Sequence, residues 1–382
     1  MTRLLTMKIL QIAPPWIPVP PPGYGGTELV LYNLCKGFVD LGHEVTLFAT
    51  KNSKSPDELD YVFDKSLTEM DIDWVAALPP LLHYHQAFKR AAEFDIIHAH
   101  LSSGTDMTLL PFLSDAVRQG IPVVTTIHGH LPYDRFSYMD DKYFSYYGED
   151  IAMINISKAM SKVLPKSIRN AGVAYNSLDV STLKFSKTGS YLTWLGKIVP
   201  DKGTHEAILA AKAVGEKFVF AGIVEKYDKQ SVEYFHTKVK PLIDNDQVVY
   251  LGPADLKMKN KLFRNAKAFL NPISWEEPFG MVMVESMACG TPVISFNRGA
   301  APEIIKNGKT GFLVKNRKEM IKAIGKLDQI KRKDCRKHVE EKFSPIAAAQ
   351  RHIEIYEREI LSMKKKSVRR HAELVSASAS IL

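Results

Sequence analysis

One pattern is written twice along these 382 residues: short apolar runs of strand length alternate with amphipathic stretches of helical length. The first copy opens with Lys8-Ile9-Leu10-Gln11-Ile12-Ala13, a run suited to a strand buried on both faces. From Glu28 to Leu41 the residues Leu29, Leu31, Tyr32, Leu34 and Phe38 share one broad helical face, and Gly42 ends the stretch. Further strand runs follow at 44–49, 95–100, 122–127 and 152–156. The second copy starts near residue 190, with strands at 191–195, 218–221, 248–251, 268–270 and 292–296. Its helices fall at about 204–214, 256–265, 279–289 and 317–328. Strands separated by helices require right-handed crossovers and give parallel sheets covered on both faces. The chain is therefore expected to form two doubly wound α/β domains, 1–175 and 176–344. A last helix is expected at 345–361, and 362–382 is read as a flexible tail ending in Ser376-Ala377-Ser378-Ala379-Ser380.

A content of 45% hydrophobic and 24% charged residues excludes wholesale disorder. No run approaches the roughly 20 apolar residues of a membrane-spanning helix. The start, Met1 to Leu10, resembles a leader, but Lys8 interrupts it and Pro14-Pro15 follow without a small-residue cleavage site. Cys35, Cys289 and Cys335 lie far apart, which argues against a disulfide framework and fits a reducing compartment. The expected location is cytoplasmic. Charge is uneven, with a net of −3 through residue 188 and +12 after it. The excess ends in Lys364-Lys365-Lys366-Ser367-Val368-Arg369-Arg370, which can rest on an anionic membrane surface or form a solvated helical face. Nucleic acid is not an expected partner.

Three segments carry chemistry. Gly23-Tyr24-Gly25-Gly26-Thr27-Glu28 joins the first strand to the first helix. Glycines there admit a ligand close to the backbone, and the helix N-terminus offers N–H groups to an anion. A structural turn is the other reading. The missing third glycine and the long proline-rich approach disfavour a nicotinamide cofactor. In the second domain, Gly196-Lys197-Ile198-Val199-Pro200-Asp201-Lys202-Gly203 places two lysines where they could cradle a diphosphate. The third segment is Glu277-Pro278-Phe279-Gly280-Met281-Val282-Met283-Val284-Glu285. Pro278 suits a helix start, and the N–H groups of Phe279, Gly280 and Met281 would point out of its positive end. Glu277 would lie just before that helix and Glu285 in its second turn. Glu285 sits among apolar residues and so needs a polar partner. Capping or packing is the alternative for both carboxylates, and a structural histidine is the alternative for His128 after Thr125-Thr126-Ile127. Asp71-Ile72-Asp73 and Asp244-Asn245-Asp246 have metal-ligand spacing, yet neither clearly follows a strand ending at the proposed site. The pairs His83/His85 and His98/His100 are read as structural.

In combination these segments, with Gly42-His43-Glu44-Val45-Thr46 and Met287-Ala288-Cys289-Gly290-Thr291-Pro292-Val293-Ile294, resemble the retaining glycosyltransferases of family 4 over about residues 7–360. The Gly-Gly-Thr-Glu start looks like the avilamycin-type branch. The resemblance implies the GT-B architecture, two Rossmann-like domains facing across a cleft, with helix 345–361 crossing back to the first. It implies transfer from a nucleotide sugar, foremost a UDP-sugar, to a sugar, lipid-linked sugar or small-molecule acceptor. Lysines and helix dipoles can stabilise the leaving group, so no metal or other cofactor is expected. Position by position, Gly25, Gly26, Lys197, Lys202 and the Phe279–Gly280–Met281 backbone would meet the donor diphosphate. Glu277 would hold hydroxyls of the transferred sugar, Glu285 the ribose, and His128 would lie near the reacting sugar. Lys197 departs from the family's usual Arg, and Gly129 stands where an acidic residue often follows the histidine. Acceptor choice would rest on loops 51–85 and 130–148. The latter carries Tyr133, Phe136, Tyr138, Tyr143, Phe144, Tyr146 and Tyr147, which could stack on a sugar or cover the core. UDP-sugar 2-epimerases share the architecture, so an isomerase and a non-catalytic nucleotide-sugar-binding protein are the competing classes.

Overall fold

The structure is a computed structural model, and it describes residues 6–23, 25–129, 142 and 144–379. The chain divides into two compact units, Met1–Ser177 with Pro345–Leu382, and Leu178–Ser344. The first unit holds strands β1 (Lys8–Ile12), β2 (Glu44–Ala49), β3 (Glu58–Tyr61), β4 (Ile96–Leu101), β5 (Val123–Ile127), β6 (Ala152–Asn155) and β7 (Arg169–Val173). They form one parallel sheet in the order β3-β2-β1-β4-β5-β6-β7. The second unit holds β8 (Tyr191–Lys197), β9 (Phe218–Ile223), β10 (Val248–Tyr250), β11 (Ala266–Asn271), β12 (Val293–Phe296) and β13 (Gly311–Val314). Its parallel sheet runs β10-β9-β8-β11-β12-β13. The fold is thus two doubly wound α/β units.

The apolar runs became the interior strands because those strands are covered on both faces: β4 and β5 are buried at every position. Strands β3, β7 and β13 were not legible in the pattern. Each lies at a sheet edge, and each is partly exposed, so the continuous apolar run is absent.

Each sheet reverses its winding beside its own first strand. β1 pairs with β2 on one side and β4 on the other, and β8 pairs with β9 and β11. Loops leave such a switch point toward opposite faces and open a crevice at the strand carboxyl ends. In the first unit Gly25 and Gly26 follow β1 and His128 follows β5; in the second, Lys197 ends β8 and Glu277 follows β11.

The final helix, Pro345–Ala379, belongs to the first unit and packs on helix Gly26–Asp40. Its inner stripe of Ala348, Ala349, His352, Ile353, Ile355 and Tyr356 is buried, and Phe38 lies 5.5 Å from the Tyr356 ring. Gly37 makes the close approach possible, because a Cβ there would sit 2.3 Å from the Pro345 carbonyl oxygen. Arg169 pairs with Glu359 at 2.6 Å and Arg351 donates to the Val173 carbonyl at 2.9 Å. The helix extends well past residue 361, where a flexible tail was expected. The stretch beyond is rich in Lys, Arg and Ala and contains no Gly or Pro to stop it.

Candidate active site

The second unit brings its predicted residues together around the loop that leaves β11. Glu277 forms an ion pair with Lys202, from the 3-10 turn Pro200–Lys202 that follows β8. Trp275 Nε1 donates to the same Oε2 of Glu277 at 3.2 Å, and the Lys202 ammonium lies 4.8 Å from the Trp275 ring centroid. The carboxylate is largely enclosed, with a side-chain exposure of 13%. Its backbone is also fixed, since the Glu277 carbonyl accepts from Ala300 N–H at 2.9 Å.

Helix Met281–Ala288 begins later than Pro278 suggested, with Gly280 as its N-cap. Its opening N–H groups therefore begin at Met281 and not at Phe279. Phe279 lies ahead of the helix and buries its ring edge-on against Phe343, with centroids 5.8 Å apart. Glu285 occupies the second turn, is 5% exposed, and accepts from Lys259 Nζ at 2.5 Å. The polar partner demanded by a carboxylate in an apolar helix is thus Lys259, on helix Leu256–Arg264. Lys197 does not join Lys202 on Glu277; it pairs with Glu225 at 3.2 Å and is about half exposed.

In the first unit, helix Gly26–Asp40 follows Gly25, its N-cap. A Cβ at Gly25 would meet Pro21 Cβ at 2.7 Å and Glu28 Oε2 at 2.9 Å, whereas one at Gly26 would face open space. Packing explains the first glycine and leaves the second free to admit a ligand. Glu28 itself is buried, and that burial, with Asp106 nearby, pushes its carboxyl up to about 7. Asp106 is satisfied by Trp16 Nε1 at 2.9 Å, Tyr84 OH at 2.8 Å and the N–H groups of Ser102 and Ser103 at 2.8 Å.

His128 is half-buried, and its Nε2 lies 2.9 Å from His100 Nδ1. His100 Nε2 reaches Gln11 Oε1 at 2.8 Å, and Gln11 Nε2 donates to Tyr356 OH at 3.1 Å. Tyr356 OH is 2.6 Å from His98 Nδ1, and His98 Nε2 is 2.8 Å from Thr126 Oγ1. Burial lowers the His98 and His100 pKa values well below the ordinary imidazole value and pushes His128 down to about 3. These rings are therefore neutral at pH 7. The pair His98/His100 is part of this network. His83 is structural, its Nε2 bonded to the Ala13 carbonyl at 3.0 Å.

Among the described residues no three His, Cys, Asp or Glu side chains gather as metal ligands. Asp244 closes a turn instead: it accepts from Val248 N–H at 2.8 Å and Asp246 N–H at 3.1 Å and pairs with Lys212 at 3.0 Å. Asp73 accepts from Val75 N–H at 3.2 Å. Of the aromatic loop, Tyr133, Phe136, Tyr138 and Tyr143 lie outside the described residues, Phe144 is a core residue and Tyr146 is exposed.

Sequence reasoning did not find Lys259, Trp275, Gln11 or the hydrogen-bonding role of Tyr356. Glu285 signalled that a partner must exist, but Lys257, Lys259 and Lys261 were equivalent candidates until the helix was placed. Gln11 was visible as the one polar residue inside the first buried strand.

Comparison with known proteins identifies the family. Residues 24–167 match the model described as Glycosyltransferase Family 4, and residues 180–342 match Glycosyl transferases group 1. Spore coat protein SA of Bacillus subtilis is 23% identical over 338 residues, which cover 81% of this chain and 85% of that protein. The structure of AviGT4, a glycosyltransferase of avilamycin A biosynthesis, superposes with a TM-score of 0.67 at 21% identity, covering 93% of this chain and 98% of that one. HepE of Anabaena, solved with UDP and glucose, gives a TM-score of 0.66 at 20% identity over 91% of this chain and 98% of its own. With both family models matched in order and the two-sheet fold shared, the chain belongs to the family 4-like glycosyltransferases of GT-B architecture.

Proposed function

We propose that this glycosyltransferase moves a sugar from a UDP-sugar to a hydroxyl-bearing acceptor, with retention of configuration and without a metal ion. The observation that carries the reading is the Lys202–Glu277–Trp275 cluster just ahead of helix Met281–Ala288, with the Lys259–Glu285 pair in that helix's second turn. A diphosphate brings more negative charge than the single carboxylate Lys202 now holds. Lys202 can therefore exchange Glu277 for the phosphates, which frees Oε2 of Glu277 to accept from hydroxyls of the transferred sugar. The N–H groups opening at Met281 add a fixed positive dipole end. Glu285, already oriented by Lys259, is assigned to the ribose. Gly25, Gly26 and Lys197 are assigned to the diphosphate, and Lys197 acts there as a point charge and not as a fork. His128 is assigned to the neighbourhood of the reacting sugar. The choice of UDP is supported by HepE, whose structures were solved with UDP and with UDP-glucose. A sugar, a lipid-linked sugar or a small molecule remains the acceptor class, and the basic C-terminal run offers a peripheral membrane contact.

The test is thermal shift against a panel of nucleotide sugars in excess EDTA, followed by product analysis with candidate acceptors. A UDP-sugar at about 100 times its Kd should stabilise the fold by about 2.7 kcal/mol, chelator or not. Stabilisation and turnover that appear only with magnesium or manganese would contradict the metal-free reading. Conversion of UDP-N-acetylglucosamine to an isomer without acceptor would identify an epimerase.

A further inference from the structure

The buried chain behind His128 has a direction. The Gln11 amide presents its oxygen to His100 and its NH2 to Tyr356, and which end faces which ring assigns every proton along the row. A carboxamide oxygen only accepts, so His100 must carry its proton on Nε2. A neutral ring holds one N–H, so His100 Nδ1 is bare and accepts from His128 Nε2–H. At the other end Tyr356 OH accepts from Gln11, donates to His98 Nδ1, and leaves His98 Nε2–H for Thr126 Oγ1. His128 is thereby left with a proton-free Nδ1, for which no partner exists among the described residues.

We propose that Tyr356 and Gln11 are positioning residues that fix which nitrogen of His128 carries the proton, so that its Nδ1 meets the substrate as an acceptor. The proposal rests on the reading that His128 lies near the reacting sugar. Three strands and the C-terminal helix each contribute: Gln11 from β1, His98 and His100 from β4, Thr126 from β5 and Tyr356 from helix Pro345–Ala379. Gln11, His98, His100, Thr126 and Tyr356 are all at most 2% exposed, so water cannot substitute for a lost member. The return of the chain to the first unit therefore does more than cover the sheet: it delivers the hydroxyl that receives the Gln11 NH2 and so holds the amide oxygen on His100.

The experiment is two-bond 1H–15N correlation NMR on 15N-histidine-labelled protein at pH 7.5, with His128 assigned by the signal lost in His128→Gln. Wild type should show His128 protonated at Nε2 and bare at Nδ1. Tyr356→Phe removes one oxygen, and Gln11→Leu cuts the row at another point; both should give His128 shifts averaged between the two tautomers. Turnover should fall by about 10-fold or more in each, with donor KM held within about 2-fold. Ile353→Ala, a packing change on the same helix, should lower Tm and leave the ring shifts alone. Unchanged His128 shifts in both Tyr356→Phe and Gln11→Leu overturn the proposal whatever the activity does, as do shifts moved equally by Ile353→Ala. Shifts that change while turnover stays at the wild-type level uphold the tautomer control and refute the placing of His128 near the reacting sugar.

Discussion

The two units solve different problems with the same sheet topology. At the switch point of the second unit the functional side chains are charged and paired, Lys202 with Glu277 and Lys259 with Glu285. At the carboxyl ends of β1, β4 and β5 in the first unit, the side chains form a neutral row of imidazoles, amide, phenol and hydroxyl. A paired lysine can trade one anion for another, which suits the proposed encounter with a diphosphate. A neutral buried row cannot trade charge, but it can hold one ring in one protonation pattern. The second unit should therefore answer to salt and charge removal, and the first to acid and to loss of its C-terminal helix.

The largest effect should follow from ending the chain at Ser344. That cut strips Ala349, Ile353, Ile355 and Tyr356 from the core of the first unit and breaks the Arg169–Glu359 pair. Loss of several buried side chains at about 2–5 kcal/mol each exceeds ordinary domain stability. Calorimetry should show no cooperative transition for the first unit, whereas ending the chain at Met363 should leave melting unchanged. A shorter chain that melts as wild type would break the comparison at its root.

Next in size is Lys202→Ala, which should weaken donor binding by roughly 10- to 100-fold, as expected for a charge-assisted contact. Titration calorimetry should show little change for the exposed Lys326→Ala, and wild-type affinity should fall as salt rises. Equal effects from both lysines would remove the charged cradle from the second unit.

The acid response should be smaller but one-sided. Burial lowers the pKa of His83 and His352 to about 4, and that of His98 and His100 well below the ordinary 6.5. Below 6.5 the unfolded chain binds protons at these sites that the folded unit refuses, so stability is full above 6.5 and is lost as pH falls. Each such group withdraws up to about 1.4 kcal/mol per pH unit until its folded pKa is reached. Glu28, raised to about 7, works the other way between 4.5 and 7 but is a single group. Urea unfolding with Trp194→Phe and Trp275→Phe leaves Trp16 and Trp74 to report the first unit alone. Its midpoint should drop from pH 7 to pH 5.5; a flat profile would mean the histidine row is not neutral and buried.

Much of this was legible in the sequence because it rests on local pattern. Interior strands announce themselves as apolar runs, and Glu277 and Glu285 were placed from helix start and stop signals. The helix start was set two residues early because Pro278 is a good lead-in residue, whereas the chain uses Gly280 as the cap. What stayed hidden was pairing across sequence distance. Nothing local links Gln11 to Tyr356, or Glu285 to Lys259 and not to Lys257. The histidines of β4 looked like separate structural residues because alternation gives their face of the strand and not what packs on it.

The central claim is that Glu277 and Glu285 serve different parts of one donor, and it is tested most directly by steady-state kinetics with varied donor on Glu277→Gln and Glu285→Gln. Glu277 is assigned to the sugar whose bond breaks, so its loss should fall mainly on kcat. Glu285 is assigned to the ribose, so its loss should raise donor KM with kcat nearly unchanged. A hydrogen bond to a charged group is worth about 1.5–3 kcal/mol, so each change should be roughly 10- to 150-fold. Unchanged kinetics in both variants, with lowered melting temperatures alone, would show that both carboxylates only pack and cap the helix, and would contradict the account.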